Sequence, residues 1–310
     1  PVDIAVPEFR QHVNKEPDPR LDKRHVGDHD CVVLASGPGT YEMMGKLLLL
    51  ILLLCGRRAS RICVIFGYSP LSRSDKDEGD QVLAWPAWLV QQIVMAANGK
   101  LDRIIVVDPH SPQLVMAGRQ GLITPVTMMR RVFKAALIQA KAVYPLHQVC
   151  VYYPDDGAAK QYERPIEAVI AEESGLSVGL IFGTKRRINS GASAPLHLTG
   201  DITRIRGALV ICVDDEGATL GTQLGVAVKV KNDHGASTFW SAFVHGVLCG
   251  DALQKISAQD CPIDRLIITD SIPQPPEVQE CQRVSIVSIV RDLAHMIYCH
   301  HWGENIREQR

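Results

Sequence analysis

The sequence has almost no net charge and no apolar run of membrane-spanning length. Its 310 residues carry 33 Lys and Arg against 34 Asp and Glu, for a formal net charge of -1 at pH 7. No strongly basic surface is therefore expected, and neither a nucleic acid nor a membrane is predicted as a partner. The run LLLLILLL at residues 47–54 is too short to cross a bilayer, which takes about 20 apolar residues. We predict instead a helix that is buried in a core or in a subunit interface.

Three sequence signals are also missing. No GxxxxGK[ST] motif occurs, which excludes a P-loop kinase. Residues 1–24 are polar and rich in Pro and charge, unlike a signal peptide, so a cytoplasmic protein is predicted. The nine cysteines form no CxxC pair, and Cys31, Cys63, Cys150 and Cys212 lie within apolar, strand-like runs. Such positions predict buried thiols in a reducing compartment.

Strand-like and helix-like segments alternate from residue 30 onward, and the rhythm restarts at residue 148. This alternation is typical of parallel sheets with helices on both faces. We therefore predict an α/β protein of two similar domains, each a mainly parallel sheet flanked by helices, at residues 1–146 and 147–310.

Some local features stay open or irregular at this level. Residues 1–29 are poorly patterned, and fit either an edge hairpin or a partly ordered arm. Proline is expected to kink a helix at Pro86 and to interrupt another near Pro165.

The most informative stretch is VICVDDEGATLGT at residues 210–222. An apolar run ends in Asp214 and Asp215, a small-residue turn follows, and a hydroxyl-rich segment opens a helix expected to last to about residue 232. The N–H groups of a helix start, two glycines that permit close approach and two threonine hydroxyls together suit a phosphate. Adjacent carboxylates suit vicinal hydroxyls or the water shell of a metal. We predict a sugar-phosphate site; the alternative is an ordinary βα turn with an Asp cap.

Polar clusters follow three further predicted strands: Asp108 with His110, Asp155 with Asp156, and the basic triplet Lys185, Arg186 and Arg187. Carboxylates and an imidazole around a hard cation, with basic groups nearby, suit phosphoryl or diphosphoryl transfer. Each cluster also has a plain alternative. His110 could be a core or capping histidine, Asp155 could be a helix cap, and the basic triplet could be a solvated charge run. His245 is predicted to be structural. Because all of these clusters follow predicted strands, the chemical interpretation is favoured over the plain alternatives.

The order of these motifs resembles the ribose-phosphate diphosphokinases, which make phosphoribosyl diphosphate (PRPP) from ribose 5-phosphate and a nucleoside triphosphate. The resemblance runs from about residue 30 to the C-terminus. It rests on LLLLILLL before GRRASRI, DPH in place of a DLH-type motif, YPDDGAAK in place of a PDxG loop, TKRR, VDDEGATLGT, VHGVLCGDAL, and IITDSIP followed by VSIVSIVRDLAHMI.

The resemblance implies a fold like that of the type I phosphoribosyltransferases and transfer of a diphosphoryl group, with ATP the expected donor, to the 1-hydroxyl of ribose 5-phosphate. It further implies Mg2+ as cofactor and a homo-oligomer built from dimers, commonly a hexamer.

The resemblance also assigns roles on the cation and donor side. Asp108 and His110 would help to bind the magnesium of the nucleotide, and Asp155 would join the cation and ribose-phosphate site. Lys185 and Arg187 would lie on a flexible catalytic arm that stabilises the transferring group. His110 is counted with them as a catalytic residue.

On the acceptor side, Asp214 and Asp215 would bind the ribose hydroxyls. The 5-phosphate would be held by the segment Ala218, Thr219, Leu220, Gly221 and Thr222.

The sequence departs from the family mainly on the nucleotide side. YSPLS at residues 68–72 replaces YARQD and so lacks an Arg and a Gln near the nucleotide. GRQGL at residues 118–122 replaces an Asp-rich stretch, and no FxDGE-type motif is recognisable in residues 1–29. On the ribose-phosphate side, only Ala218 replaces an Asp.

Three hypotheses remain. The first is an active diphosphokinase with unusual nucleotide recognition. The second is a non-catalytic homologue that regulates or scaffolds a paralogous synthetase subunit. The third is a phosphoribosyltransferase, which shares the Asp-Asp-to-Thr loop but is disfavoured by the duplicated architecture.

Overall fold

The computed structural model describes residues 3–22, 25–144, 148–173, 178–184 and 197–306. The chain divides into two compact units, Pro1–Val126 and Thr127–Arg310. This boundary precedes the one expected at residues 146 and 147, because helix α4 (Met129–Lys141) packs on strands of the second unit. An amphipathic stripe identifies such a helix in the sequence but does not say which sheet it covers.

The first unit begins with a hairpin of β1 (Pro7–Gln11) and β2 (Pro17–Leu21), paired antiparallel. Of the two structures considered for residues 1–29, the hairpin is the one observed. Among the described residues it forms its own two-stranded sheet rather than the edge of a larger one. It contacts α1 (Tyr41–Gly56), where the Lys46 Nζ lies 5.5 Å from the ring centroid of Phe9.

The main sheet of the first unit is parallel throughout its described strands. In spatial order these are β3 (Asp30–Ala35), β4 (Arg61–Phe66), β5 (Leu101–Val107) and β6 (Ile123–Val126). Helices α1, α2 (Pro86–Ala97) and α3 (Pro112–Met116) pack their apolar residues into one cluster with one face of this sheet.

The leucine-rich run lies in α1 and is buried along one face only. Met44, Leu47, Ile51 and Leu54 are buried at helical spacing, while 52% of Leu52 is exposed. In the described part of the chain, no helix combines the length and apolarity needed to span a bilayer. The prediction of a core helix is confirmed for the buried face.

The prediction that Pro86 kinks a helix is wrong, because α2 begins at Pro86. Proline is favoured in the first turn of a helix, where its missing N–H would have no helical partner. The helix ends at Asn98, which has a left-handed φ of 44°.

The second unit contains a seven-stranded sheet in the order β13-β12-β11-β10-β7-β8-β9. All neighbours are parallel except β8 and β9. The strands are β7 (Val149–Tyr153), β8 (Gly179–Thr184), β9 (His197–Gly200), β10 (Leu209–Gly217), β11 (Thr238–Gly246), β12 (Arg265–Thr269) and β13 (Val284–Val287).

Helices cover both faces of this sheet. Besides α4, they are α5 (Asp156–Glu172), α6 (Gly221–His234), α7 (Ala252–Ser257), α8 (Pro276–Gln279) and α9 (Val290–Trp302). Val210 and Cys212 of β10 pack in one cluster with residues of α6. Ile211 and Val213 point to the opposite face and are equally buried. The predicted α/β class, with mainly parallel sheets flanked by helices, is confirmed.

The predicted interruption at Pro165 is wrong, since α5 is continuous with Pro165 inside it. Proline removes one helical hydrogen bond. The buried Tyr162, Ile166 and Val169 hold the helix against the core on both sides of that position.

The nine cysteines all lie in the described residues, and none forms a disulfide. Cys63, Cys150 and Cys212 are buried as predicted, whereas Cys31 is only half-buried. Burial raises the pKa of Cys63 to about 12 and that of Cys150 to about 11.

Candidate functional site

The predicted acceptor residues gather at one edge of the second unit's sheet. Strands β7 and β10 are parallel neighbours, with Tyr152 opposite Cys212, so their carboxyl ends lie at the same edge. Asp155 follows β7, and Asp214 and Asp215 lie near the end of β10.

Strand β10 continues further than the sequence pattern indicates. The apolar run ends in Asp214 and Asp215, but the strand runs to Gly217 because it stays paired with β11 as far as Gly217 opposite Gly246. A β-carbon on Gly217 would lie 2.5 Å from Cδ2 of Phe243. The close approach of β10 and β11 therefore requires glycine at this position.

Three carboxylates repel one another at this edge. Asp215 is only 8% exposed, and Asp214 is half-buried and accepts a hydrogen bond from the Asp215 N–H at 3.0 Å. Burial raises the pKa of Asp214 well above its usual range, and the charges of Asp215 and Asp155 raise it further. A cation or several hydroxyl donors would relieve this excess of negative charge.

Asp155 has two roles in the geometry. Its side chain accepts a hydrogen bond from the Ala158 N–H at 3.0 Å and caps α5, which confirms the plain alternative for this residue. Its charge also contributes to the raised pKa of Asp214. The cap therefore does not remove Asp155 from the site.

The turn after β10, residues 217–221, is held from one side, and we call it the phosphate turn. Leu248 N–H donates to the Gly217 carbonyl at 3.0 Å, and Cys249 N–H donates to the Ala218 carbonyl at 3.2 Å. Lys255 Nζ donates to the Thr219 carbonyl at 3.4 Å.

Because C=O and N–H of a trans peptide point in opposite directions, the N–H groups that follow these three carbonyls point to the other side of the turn. Successive N–H groups on one side form a concavity that suits an anion.

The start of α6 adds to this cradle. Its N-cap residue, Leu220, has a left-handed φ of 59° and forms no side-chain cap, so the first-turn N–H groups are left for another acceptor. The Leu220 side chain is buried in the core of the unit, which fixes an otherwise unfavourable backbone conformation. Thr219, Gly221 and Thr222 are exposed beside these N–H groups, and Ala218 is half-buried.

In the first unit, the corresponding cluster follows β5. Asp108 is 2% exposed, has a φ of 34°, and donates its N–H to the Val126 carbonyl at 2.8 Å. A positive φ is uncommon for a non-glycine residue and occurs often at functional positions. His110 is exposed, so it is not the core histidine considered as an alternative.

The basic triplet follows β8, which is paired with β7 as far as Phe182 opposite Tyr153 and ends at Thr184. Lys185, Arg186 and Arg187 lie outside the described residues.

Sequence patterns missed several polar residues near this edge. Glu216, only 7% exposed, directly follows the two aspartates and lies opposite His245 in the β10–β11 register. Its position beside two carboxylates was the one available signal. His245 is buried, and its Nδ1 lies 2.9 Å from Ser271 Oγ, in line with a structural role. Ser271 and Gln274 gave no signal because their partners lie on a neighbouring strand.

Known proteins match both the fold and the sequence. The phosphoribosyl synthetase-associated domain matches residues 183–308. Ribose-phosphate pyrophosphokinase 2 of Schizosaccharomyces pombe is 28% identical over 284 residues, which are 91% of this chain and 82% of the relative. Ribose-phosphate pyrophosphokinase A of Dictyostelium discoideum is 26% identical over 287 residues, with the same two shares covered.

Among solved structures, the phosphoribosylpyrophosphate synthetase from Mycobacterium smegmatis superimposes with a TM-score of 0.80 at 22% identity. The match covers 97% of this chain and 92% of that one. The fold is therefore that of the phosphoribosylpyrophosphate synthetases. Together with the sequence relatives, this match confirms the resemblance to the ribose-phosphate pyrophosphokinases that the motifs carry.

Proposed function

We propose that the protein transfers a diphosphoryl group from a nucleoside triphosphate, with ATP the expected donor, to the 1-hydroxyl of ribose 5-phosphate. The oxygen of that hydroxyl attacks the β-phosphorus. The bond between the β-phosphorus and the oxygen that links it to the α-phosphorus breaks, and this oxygen leaves with the nucleoside monophosphate. The products are PRPP and a nucleoside monophosphate. The observation that carries the proposal is the phosphate turn, whose carbonyls are bonded on one side beside the carboxylates of β10.

The acceptor half follows from that turn. The N–H groups from Ala218 to Thr222 and the hydroxyls of Thr219 and Thr222 hold the 5-phosphate. Asp214 and Asp215 accept hydrogen bonds from the ribose hydroxyls. Such contacts orient the 1-hydroxyl and reduce the entropic cost of the transfer step.

The carboxylates at this edge of the sheet fit magnesium as a cofactor. Mg2+ prefers carboxylate and water oxygens, and the mutual repulsion of Asp155, Asp214 and Asp215 favours a cation there. Asp155 would hold the ion at this edge, and the ion when bound would neutralise charge on the donor phosphates. Asp108 of the first unit is assigned to a cation by the resemblance alone. The imidazole of His110 is a softer ligand, so its exposed ring suits a hydrogen bond to a phosphate oxygen at least as well as contact with the ion.

Lys185 and Arg187 are assigned by resemblance to the transferring group. Two positive charges near that group would stabilise the charge that develops in the transition state. This assignment is independent of the geometry of the phosphate turn.

A second candidate function has its own support in the first unit. Positions at which the family has Arg and Gln near the nucleotide are occupied by Pro70 and Leu71; Pro70 is buried, and Leu71 packs against the apolar core. Their neighbours Ser69 and Ser72 are 3% and 5% exposed. No polar side chain at 69–72 is therefore presented in their place, which favours a non-catalytic homologue that binds a sugar phosphate and regulates a paralogous subunit.

One assay separates the two functions. The purified protein is incubated with ribose 5-phosphate, Mg2+ and each common nucleoside triphosphate, with and without phosphate ion, and PRPP is followed by 31P NMR. Formation of PRPP supports the enzyme. Binding of ribose 5-phosphate without PRPP under every condition would contradict it and support the non-catalytic homologue.

Assembly and location are parts of the same proposal. A homo-oligomer built from dimers and a cytoplasmic location are expected by resemblance. Light scattering on the eluted protein measures the first, and imaging of the tagged protein measures the second.

A further inference from the structure

The phosphate turn is held by a second turn. That second turn is supported in its turn by the segment that follows β12. The second turn, residues 246–249, follows β11 and is here called the bracing turn. Its Leu248 and Cys249 N–H groups donate to the carbonyls of Gly217 and Ala218. Leu248 has a φ of 40°, which is unfavourable for a residue with a side chain. The bracing turn therefore needs support of its own.

That support includes the side chain of Gln274. Its Nε2 lies 2.7 Å from the Gly246 carbonyl and 3.0 Å from the Ile272 carbonyl. An amide nitrogen carries two protons, and both are used here on backbone carbonyls. Gln274 is half-buried and lies in the segment that follows β12.

A buried hydroxyl network fixes the residues just before the bracing turn. Thr269 Oγ1 donates to the Val244 carbonyl at 2.6 Å, and Ser271 Oγ donates to the same carbonyl at 3.2 Å. Because the one proton of Ser271 Oγ is used in this bond, Oγ accepts from Nδ1–H of His245, at 2.9 Å. The end of β11 is thus bonded to residues 269–274 at Val244, His245 and Gly246.

We infer that Gln274 is a positioning residue for ribose 5-phosphate, acting through the bracing turn on the phosphate turn. Its Nε2 donates to Gly246 and Ile272 and not to the phosphate turn. Its hydrogen bond to Gly246 fixes the backbone from which Leu248 and Cys249 reach Gly217 and Ala218. The inference rests on the proposed function for the identity of the ligand, but not for the coupling between the two turns.

The first test needs no ligand. In Gln274→Met, which keeps the side-chain length and removes both donors, amide hydrogen exchange at Leu248 and Cys249, whose N–H groups are bonded to Gly217 and Ala218, is expected to be about tenfold faster than in the wild type. Gln282→Ala is the matched control, because Gln282 is an exposed glutamine of the same unit. Unchanged exchange in Gln274→Met, with circular dichroism showing a folded protein, would overturn the inference.

The second test measures binding. Calorimetric titration is expected to give a dissociation constant for ribose 5-phosphate about tenfold higher in Gln274→Met than in Gln282→Ala, with the KM for the nucleotide unchanged. An equal loss for both substrates would indicate a general structural defect and overturn the positioning role. If the wild type binds no ribose 5-phosphate, the proposed function and this assignment of ligand both fail, while the exchange test still decides whether Gln274 holds the phosphate turn.

Discussion

The two units differ in how they keep the polar groups of the family. In the second unit, the turn after β10 is braced by backbone hydrogen bonds, and carboxylates surround it at the sheet edge. In the first unit, residues 69–72 replace a family Arg and Gln with buried or apolar side chains. Under the proposed function, the departures from the family therefore fall on the residues assigned to the nucleotide, while those assigned to ribose 5-phosphate keep a braced turn.

The largest expected effect comes from Lys185→Ala. Under the proposed function its charge would act mainly on the transferring group, so kcat is expected to fall by about 10²-fold to 10³-fold, while the dissociation constant of ribose 5-phosphate stays within about twofold. Steady-state kinetics and calorimetry measure the two quantities. Lys134→Ala, which breaks a surface ion pair with Glu172, is the control. Unchanged turnover in Lys185→Ala would remove this residue from the mechanism.

Gly217→Ala tests whether the acceptor cradle depends on close approach of two strands. The new β-carbon would lie 2.5 Å from Phe243, so the end of β10 must shift, with a loss of about 1–3 kcal/mol in stability. We expect ribose 5-phosphate to bind about tenfold more weakly by calorimetry.

The matched control is Gly225→Ala in α6, where an added β-carbon meets nothing within 4 Å. Alanine is a better helix former, so this variant should gain up to about 1 kcal/mol. Similar losses in both variants would refute the steric argument.

Nucleotide selectivity tests the first unit. Buried polar groups are what reject a wrong partner strongly, and a site without them discriminates only about tenfold to a hundredfold. Because Pro70 and Leu71 offer no such groups, kcat/KM for ATP and GTP should differ by no more than about tenfold. A preference of about 10⁴-fold would show that other residues of this chain read the base.

Much of the sequence-level account survives, and its errors have physical causes. Helix α1 was predicted from the leucine-rich run at residues 47–54 because that run is long and apolar. The first turn of α2 was missed because proline is favourable there, unlike in a helix interior. Short elements such as α3 and β9 are stabilised by tertiary contacts that no local pattern shows.

In the candidate site too, local motifs predicted some residues, while others depend on tertiary contacts. Asp214, Asp215 and the hydroxyl-rich turn were predicted from one contiguous motif. Glu216 and Gln274 were not, because their significance depends on strand pairing and on a hydrogen bond to Gly246 from a residue 28 positions away.

The smallest expected effect concerns two buried thiols, one in each unit. The pKa of Cys63 is raised to about 12 and that of Cys150 to about 11. The unfolded chain therefore loses these protons at lower pH than the folded protein does. Their stabilising contribution is complete below about pH 8.5 and falls as pH rises through 11.

Denaturant unfolding between pH 8 and 10.5 measures this loss. The decline should be smaller in Cys63→Ala and in Cys150→Ala than in the wild type, by a similar amount for each. An unaltered slope in both variants would show that neither thiol is buried as described.

The most direct test of the central claim is PRPP formation by the wild-type protein, measured by 31P NMR with ribose 5-phosphate, ATP and Mg2+, alongside Lys185→Ala. The account predicts new diphosphate resonances and an equal yield of AMP with the wild type, both nearly absent with the variant. Binding of ribose 5-phosphate with no PRPP from any nucleotide would contradict it.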